Sequence, residues 1–469
     1  MIKAMKKCIL IFLLMLVSMF GYARHMELVS FPGGKCILYR LYLTDKKGTH
    51  FSLDDPSQYL SSRAIQRRIN QRIAIDSTDL PVSIPYLAAL KQYGIEIVGK
   101  SKWNNTVLVR LSSEKKTKIF HELPFVKAFK KVFEAPDSVK ESVRSRFHKE
   151  LSQWQAMSSD YGTSEKQIKN LNGINLHNQG YRGDGKMIAI FDGGFMNVDR
   201  ISAFHDINMI GYADFVYPKS SNIFQEMEHG TMVLSVLATN SPNYYVGTAP
   251  NASYVLVRCE DDRTESPAEE DYWTEAAEYA DSLGVDVINS SLGYHEFDDK
   301  TQNYSYEDQD GHTAMISRTA SMLADKGIVL VNSAGNEGMG TWKKINFPAD
   351  AENILTVGAI NDKGVNAPFS SIGPTADGRI KPDVMAYGSP VSVISGRGTI
   401  INDIGTSFSA PLVAGMVACL WEALPNFTAK QIIELVKESS NRYSNPNNIY
   451  GYGVPDFWKA YQKGQKLTK

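Results

Sequence analysis

Four polar residues, each in a short motif rich in glycine or other small residues, have types that can act together in acyl transfer. They are Asp192 in IAIFDGG, His229 in MEHGTMV, Asn336 in VNSAGNEG and Ser407 in GTSFSAP. A serine hydroxyl becomes a nucleophile when a base removes its proton, and histidine suits that task near neutral pH. A carboxylate orients the histidine, and an amide can donate to the oxyanion that forms. These types therefore predict hydrolysis through an activated serine.

Each of the four residues also has a purely structural interpretation. Ser407 precedes an apolar helix pattern and could simply cap it. Asp192 before two glycines could belong to a turn, and His229 could be a cap or core residue. Asn336 lies between glycines and could adopt a left-handed turn conformation. The order along the chain, Asp then His then Asn then Ser, is much more specific than any one motif.

The elements around these motifs predict how they are brought together. From about residue 161, short β-branched runs alternate with amphipathic helices, which indicates an α/β unit with a mostly parallel central sheet flanked by helices. Such sheets carry functional groups at the carboxyl ends of their strands. Asp192, Ser291 and Asn336 all occur where a strand-like run ends, and residues 403–407 form a loop that leads into a helix.

The preceding part of the chain is predicted to fold separately. Residues 24–135 have the order β-α-β-β-α-β, which is that of a small α+β unit of ferredoxin-like type. Residues 136–160 are polar and weakly patterned, and we interpret them as a linker or processing region. The α/β unit is then expected at 161–469.

Charge is divided unevenly between these units. Residues 24–150 carry 23 Lys and Arg against 13 Asp and Glu, while the whole chain has a net charge of -1 and residues 151–469 a net charge of -14. The two parts are expected to attract each other, although chance variation of surface charge is an alternative. The overall balance gives no reason to expect nucleic acid as a partner.

The first 23 residues have the layout of a secretory signal peptide. A start with three lysines precedes a short apolar run, and small residues follow it. We therefore expect export, to the medium, the periplasm or the cell surface, and no later segment apolar enough to cross a membrane. Removal of the leader would leave Cys36, Cys259 and Cys419, an odd and widely spaced set that favours buried free thiols.

The order and wording of the four motifs resemble the subtilisin-like serine proteases, also called subtilases or the peptidase S8 family, over roughly residues 161–461. FSSIGPTADGRIKPDV and INSSLG are also similar to segments of that family. The resemblance implies a subtilisin-like fold and an exported serine endopeptidase. In it Asp192 would orient His229, His229 would be general base and acid, and Ser407 would attack. Asn336 and the backbone N–H of Ser407 would donate to the oxyanion.

The resemblance further implies several partners. Ser291, Leu292, Gly293 and Gly335 would bind the backbone of a peptide or protein substrate. Residues 24–135 would be a prodomain that assists folding and inhibits until cleaved, with a permanent accessory domain as the alternative. We expect a monomer that needs no cofactor and has no predicted metal site.

Calcium, which some subtilases bind, could be held in an acidic segment, although a solvated loop is the favoured interpretation; the carboxylates concerned are Asp298, Asp299, Glu307, Asp308 and Asp310.

Two positions depart from the usual motifs of the subtilases. The aspartate motif is Asp-Gly-Gly, where many subtilases have Asp-Ser/Thr-Gly, and Phe408 stands where Met is commonest.

Two rival functions are disfavoured. A non-catalytic binding protein on a degenerate protease fold is disfavoured because all four residue types are present. An esterase is disfavoured because the serine motif lacks the Gly-x-Ser-x-Gly pattern.

Overall fold

The computed structural model describes residues 28–32, 34–140, 154–218 and 222–468 of the 469-residue chain. The predicted leader at 1–23 and about half of the predicted linker at 136–160 lie outside the described residues.

Strands and helices are numbered here in chain order. The strands are β1 (Leu28–Ser30), β2 (Ile37–Leu43), β3 (Glu96–Ser101), β4 (Thr106–Leu111), β5 (Val126–Glu134), β6 (Ser138–Lys140), β7 (Met187–Asp192), β8 (Asn208–Asp214), β9 (Asn240–Ser241), β10 (Tyr245–Val246), β11 (Ser253–Arg258), β12 (Val287–Ser290), β13 (Val329–Ser333), β14 (Leu355–Asn361), β15 (Val384–Ser389), β16 (Val391–Ile394) and β17 (Ile400–Asp403). The α-helices are α1 (Ser62–Gln71), α2 (Ile84–Gln92), α3 (Glu165–Lys169), α4 (Ile174–Asn178), α5 (His229–Ala238), α6 (Ala268–Leu283), α7 (Met315–Met322), α8 (Thr406–Ala423), α9 (Ala429–Ser439) and α10 (Phe457–Leu467).

A seven-stranded parallel sheet forms the centre of the larger unit, in the order β15-β14-β13-β12-β7-β11-β8. Every residue of β7 is buried, as expected for an apolar strand of a parallel sheet covered on both faces. Residues of α6 and α7 pack into the core on one face, and residues of α5, α8, α9 and α10 pack into the core on the other. The predicted fold class, an α/β unit with a parallel sheet flanked by helices, is confirmed.

The N-terminal unit is a four-stranded antiparallel sheet in the order β3-β4-β2-β5. This strand order is the ferredoxin-like one that the sequence predicts. The helix predicted between β4 and β5 is instead a 3-10 helix, Glu114–His121, in which the Thr117 hydroxyl donates to the Glu114 carbonyl. A capping serine followed by helical spacing is compatible with either helical form, so the local pattern does not distinguish them.

Part of the predicted linker is structured. β6 pairs antiparallel with β1, so the strand that enters the N-terminal unit and the one that leaves it lie side by side. Further along, the indole of Trp154 donates to the carbonyl of Gly398 at 3.1 Å. The polar composition of this stretch did not predict either contact.

The expectation that no segment after the leader is apolar enough to cross a membrane is wrong for one helix. Among the described residues, α8 is long and apolar enough by length and composition, but 94% of its 18-residue window is buried inside the protein. It is therefore a core helix of the α/β unit. The predicted thiols are confirmed, because Cys36, Cys259 and Cys419 are buried and free.

Charge complementarity between the two units is visible as buried ion pairs on α6. The guanidinium of Arg40 donates to Asp271, and Arg67 and Arg68 both donate to Asp281. Glu278 accepts hydrogen bonds from the backbone at the turn between β3 and β4. The predicted attraction between a cationic N-terminal unit and an anionic larger unit therefore has a structural basis at this helix.

Candidate active site

Asp192 and His229 meet at the carboxyl edge of the sheet. Asp192 is the last residue of β7 and is fully buried, and His229 is the first residue of α5. The Nδ1 atom of His229 lies 3.0 Å from Oδ1 and 2.9 Å from Oδ2 of Asp192. Because a carboxylate only accepts, this contact assigns the proton to Nδ1 and leaves Nε2 of neutral His229 free to accept one.

Glycines beside Asp192 and His229 allow the two residues to approach each other closely. A Cβ atom on Gly230 would lie 2.3 Å from the carbonyl oxygen of Gly194 and 2.9 Å from Cβ of Asp192. Only a residue without a side chain lets α5 begin this close to the loop after β7. The buried guanidinium of Arg258 donates to the Gly193 carbonyl at 2.9 Å and to Asp214, which fixes that loop from the neighbouring strand.

The electrostatic setting favours the protonated imidazole. Burial by itself would lower the pKa of His229, but the charge and hydrogen bond of Asp192 outweigh it, with smaller contributions from Glu260 and Asp403. The net effect raises the pKa of His229 to about 9. The imidazole therefore holds a proton readily, and its side chain is 26% exposed.

Ser407 is the second residue of α8 and lies beside the end of β12. Its hydroxyl donates to the Ser291 carbonyl at 3.4 Å, and the Ser291 hydroxyl donates to the Ser407 carbonyl at 2.9 Å. The next residue, Phe408, brings the start of α8 against the histidine, with ring centroids of Phe408 and His229 5.7 Å apart. The helices that carry Ser407 and His229 pack against each other.

Asn336 is exposed just beyond β13, and its orientation is set by Thr406. Both the backbone N–H and the hydroxyl of Thr406 donate to Oδ1 of Asn336 at 3.0 Å. Since a backbone N–H can only donate, the oxygen of the amide must face Thr406 and the NH₂ group must face away. The NH₂ group of Asn336 therefore points away from Thr406 and is available as a hydrogen-bond donor.

The four residues expected to bind substrate line the same edge of the sheet. The carbonyl of Leu292, itself buried, accepts from the Asn332 side chain at 3.3 Å. A Cβ atom on Gly293 would lie 2.8 Å from Cβ of Asn346. Gly335 has φ +106° and donates to the Thr406 hydroxyl at 3.2 Å. The segment 291–293 thus lies beside Ser407, and Gly335 lies beside Thr406.

The acidic segment in which calcium is the less favoured interpretation uses several of its carboxylates in local hydrogen bonds. Asp299, Asp308 and Asp310 accept hydrogen bonds from residues two or three positions along the chain, and Asp298 accepts from the backbone of Glu265. Within the described parts of the chain, no group of three or more His, Cys, Asp or Glu residues is arranged to hold a metal ion.

Sequence reasoning missed the residues that position the others. Thr406 stands inside the quoted GTSFSAP motif, where its hydrogen-bonding side chain was the available signal. Arg258 ends a strand-like run and carries no sequence signal of this role. Only the pairing of β11 with β7 brings it to the loop after Asp192.

Comparison with known proteins relates both units of the structure to families of known proteins. The model of the Subtilase family matches residues 183–453, and the model described as the Peptidase S8 propeptide domain, Bacteroidota, matches residues 38–150. Subtilisin of Bacillus pumilus is 32% identical over 310 residues, which cover 66% of this chain and 100% of that protein. Subtilisin NAT of Bacillus subtilis subsp. natto is 32% identical over 310 residues, 66% of this chain and 72% of its own.

A more distant relative is the thermostable alkaline protease of Halalkalibacterium halodurans. It is 26% identical over 296 residues, 63% of this chain and 73% of that protein. The two matched regions correspond to the two units of the structure, with the propeptide model on the antiparallel sheet and the protease model on the parallel sheet. The chain therefore belongs to the subtilase family of serine endopeptidases and carries a propeptide domain ahead of its protease domain.

Proposed function

We propose that this subtilase cleaves peptide bonds through Asp192, His229 and Ser407, with Asn336 as a donor to the oxyanion. The observation that carries the proposal is the pair of contacts from Nδ1 of His229 to both oxygens of buried Asp192. Such a contact leaves Nε2 as the base on the side of the ring where α8 begins.

The reaction follows from these positions. The Ser407 hydroxyl turns from the Ser291 carbonyl toward His229, gives its proton to Nε2, and its oxygen attacks the carbonyl carbon of the substrate. The oxyanion accepts hydrogen bonds from the Asn336 amide and from the backbone N–H of Ser407, in the first turn of α8. His229 then gives its proton to the leaving amine, and an acyl-enzyme remains on Ser407. A water molecule then gives a proton to His229 and attacks the carbonyl carbon of the acyl-enzyme. His229 returns the proton to Ser407 as the acid product leaves.

Substrate binding is assigned to the edge beside Ser407. The segment 291–293 extends from β12 and offers backbone groups to an extended peptide, as an added strand would. Gly335 and Gly293 leave room for the side chain of the residue whose carbonyl is attacked. No cofactor enters any step of this proposal.

The N-terminal unit acts as an intramolecular inhibitor and folding aid. We assign residues 1–23 to a leader for export, 24–135 to the prodomain, 136–160 to the processing region and 161–469 to the protease. Support comes from the propeptide match at 38–150 and from the buried ion pairs that join the unit to α6. Once exported, the processed enzyme acts as a monomer on peptides and proteins.

A fluorophosphonate, which labels only an activated serine, tests the proposed triad. We expect Ser407→Ala to abolish both labelling and peptide cleavage, and to leave the full chain unprocessed. Ser409→Ala is the matched control, since Ser409 lies in the same helix but its hydroxyl donates to the Tyr387 carbonyl.

The control should keep labelling and cleavage. Circular dichroism and melting curves establish that both variants are folded. Labelling or cleavage that persists in a folded Ser407→Ala protein would overturn the assignment of Ser407 as nucleophile.

A further inference from the structure

Glu260 lies at the carboxyl edge of the sheet, one strand beyond Asp192. It comes two residues after the end of β11, where the backbone N–H of Cys259 donates to the Asp192 carbonyl at 3.1 Å. Its side chain is partly exposed. Among the residues that the structure describes, the Glu260 carboxylate has no hydrogen-bond or ion-pair partner.

Gly193 of the Asp-Gly-Gly motif leaves space that the side chains of Met227 and Glu260 occupy. Oε2 of Glu260 lies 3.1 Å from where a Cβ atom on Gly193 would be. A serine or threonine, as many subtilases have at this position, would meet Glu260 and the sulfur of Met227. The Glu260 carboxylate thus lies beside the place where relatives carry that side chain, close to the proposed catalytic pair.

The nearby cations are already engaged. Arg258 donates to the Gly193 carbonyl and pairs with Asp214. Arg263 pairs with Asp261 at 2.6 Å. Burial first and then the charge of Asp192 raise the pKa of Glu260 to about 8, although His229 acts in the opposite direction.

The alternation of side chains along an extended peptide indicates which substrate residue would lie near Glu260. In an extended peptide, successive side chains point to opposite sides. If the residue whose carbonyl is attacked places its side chain beside Gly335, the residue before it points the other way, toward His229 and Gly193. Glu260 lies on that side.

We propose that Glu260 is a specificity-determining residue that favours arginine or lysine immediately before the residue whose carbonyl Ser407 attacks. The inference rests on the proposed function of that site. A cationic side chain would favour the ionised form of Glu260 and pair with it, since this group is otherwise unpartnered and partly shielded from water, where charge pairing is stronger than at an open surface.

The test compares peptides that differ only at this position. Internally quenched peptides are built on the best-cleaved sequence of a peptide library, with arginine or citrulline before the attacked residue, and mass spectrometry confirms the scissile bond. Citrulline matches the shape of arginine but carries no charge. We expect kcat/KM of the wild-type enzyme to be at least about 10-fold higher for arginine, and Glu260→Gln to bring the ratio close to one.

Asp262→Asn is the matched control, since it removes one negative charge two residues away and should keep the ratio. A wild-type ratio near one would overturn the inference, as would a ratio that survives in Glu260→Gln. Equal losses for both peptides in that variant would mean that Glu260 acts only through His229, which also overturns it. Failure to cleave any peptide would instead refute the proposed function.

A second variant covers the case in which Glu260→Gln does not fold. Glu260→Asp keeps the charge but retracts it by one methylene group. A ratio that falls in Glu260→Asp but stays above one supports the inference, and an unchanged ratio overturns it.

Discussion

The guanidinium of Arg40 donates to both carboxylate oxygens of Asp271, with N–O distances of 2.6 to 3.0 Å. The two side chains are only 2% and 7% exposed. Arg40 lies on β2 of the propeptide domain and Asp271 on α6 of the protease domain, so the pair joins the two domains. Removing one partner of a buried ion pair leaves the other charge buried and unpaired, which costs far more than loss of an exposed pair.

Arg40→Met is therefore expected to weaken the contact between the domains. In a full-length chain that also carries Ser407→Ala, so that no cleavage occurs, the substitution should cost about 3–5 kcal/mol and lower the melting midpoint. Lys35→Met is the control, because Lys35 pairs with Asp137 with both side chains more than 80% exposed. Calorimetry should show a clear shift for Arg40→Met and none for Lys35→Met. Equal midpoints for the two variants would contradict a stabilising role of the buried pair.

Asn336→Leu should reduce catalysis without greatly changing substrate binding. It removes an amide donor that Thr406 holds in position, and loss of one such donor typically costs about 100- to 1000-fold in kcat. Thr406→Val, which removes one of the two bonds to Asn336, should give a smaller decrease. Steady-state kinetics on one peptide separate kcat from KM. Met339→Ala, at an exposed position three residues further on, should behave like the wild type.

The rate of peptide cleavage should depend on the protonation of His229. The imidazole accepts a proton only when neutral, and its raised pKa of about 9 means that kcat/KM should rise with pH through that range. Asp192→Asn removes the charge that raises this pKa, so the rise should move to lower pH while kcat falls by about 10,000-fold. A pH profile of both enzymes tests this. Identical midpoints would refute the role of Asp192 in setting the pKa.

Gly230→Ala should disrupt the approach of α5 to the loop after β7. The added methyl group would overlap the Gly194 carbonyl at 2.3 Å and press on Asp192, so either the fold or the contact between Asp192 and His229 must change. We expect a lower melting midpoint and a strong loss of activity. Gly211→Ala is the control, because nothing lies within 4 Å of the position of its added Cβ atom. Wild-type activity in Gly230→Ala would contradict the prediction, because it would mean that α5 can shift without loss of the contact between Asp192 and His229.

The order of elements was predictable because its signals are local. The apolar run that forms β7, the helix patterns of α5 and α8, and the ferredoxin-like order of the propeptide domain are all visible in stretches of ten to twenty residues. Each motif that carries a proposed catalytic residue lies at a strand end or a helix start, which the same local patterns indicate. The helix predicted between β4 and β5 is a 3-10 helix, because the same local pattern is compatible with both helical forms.

What the sequence determined by itself was the family, the class of fold and the residue types of the candidate site. The tertiary structure decided which atoms meet: Thr406 with the Asn336 oxygen, Glu260 with the space beside Gly193, and Arg40 with Asp271. These contacts join residues 67 to 231 positions apart. They depend on which strands are neighbours and on how closely the domains pack, and periodicity within a single element carries no information about either.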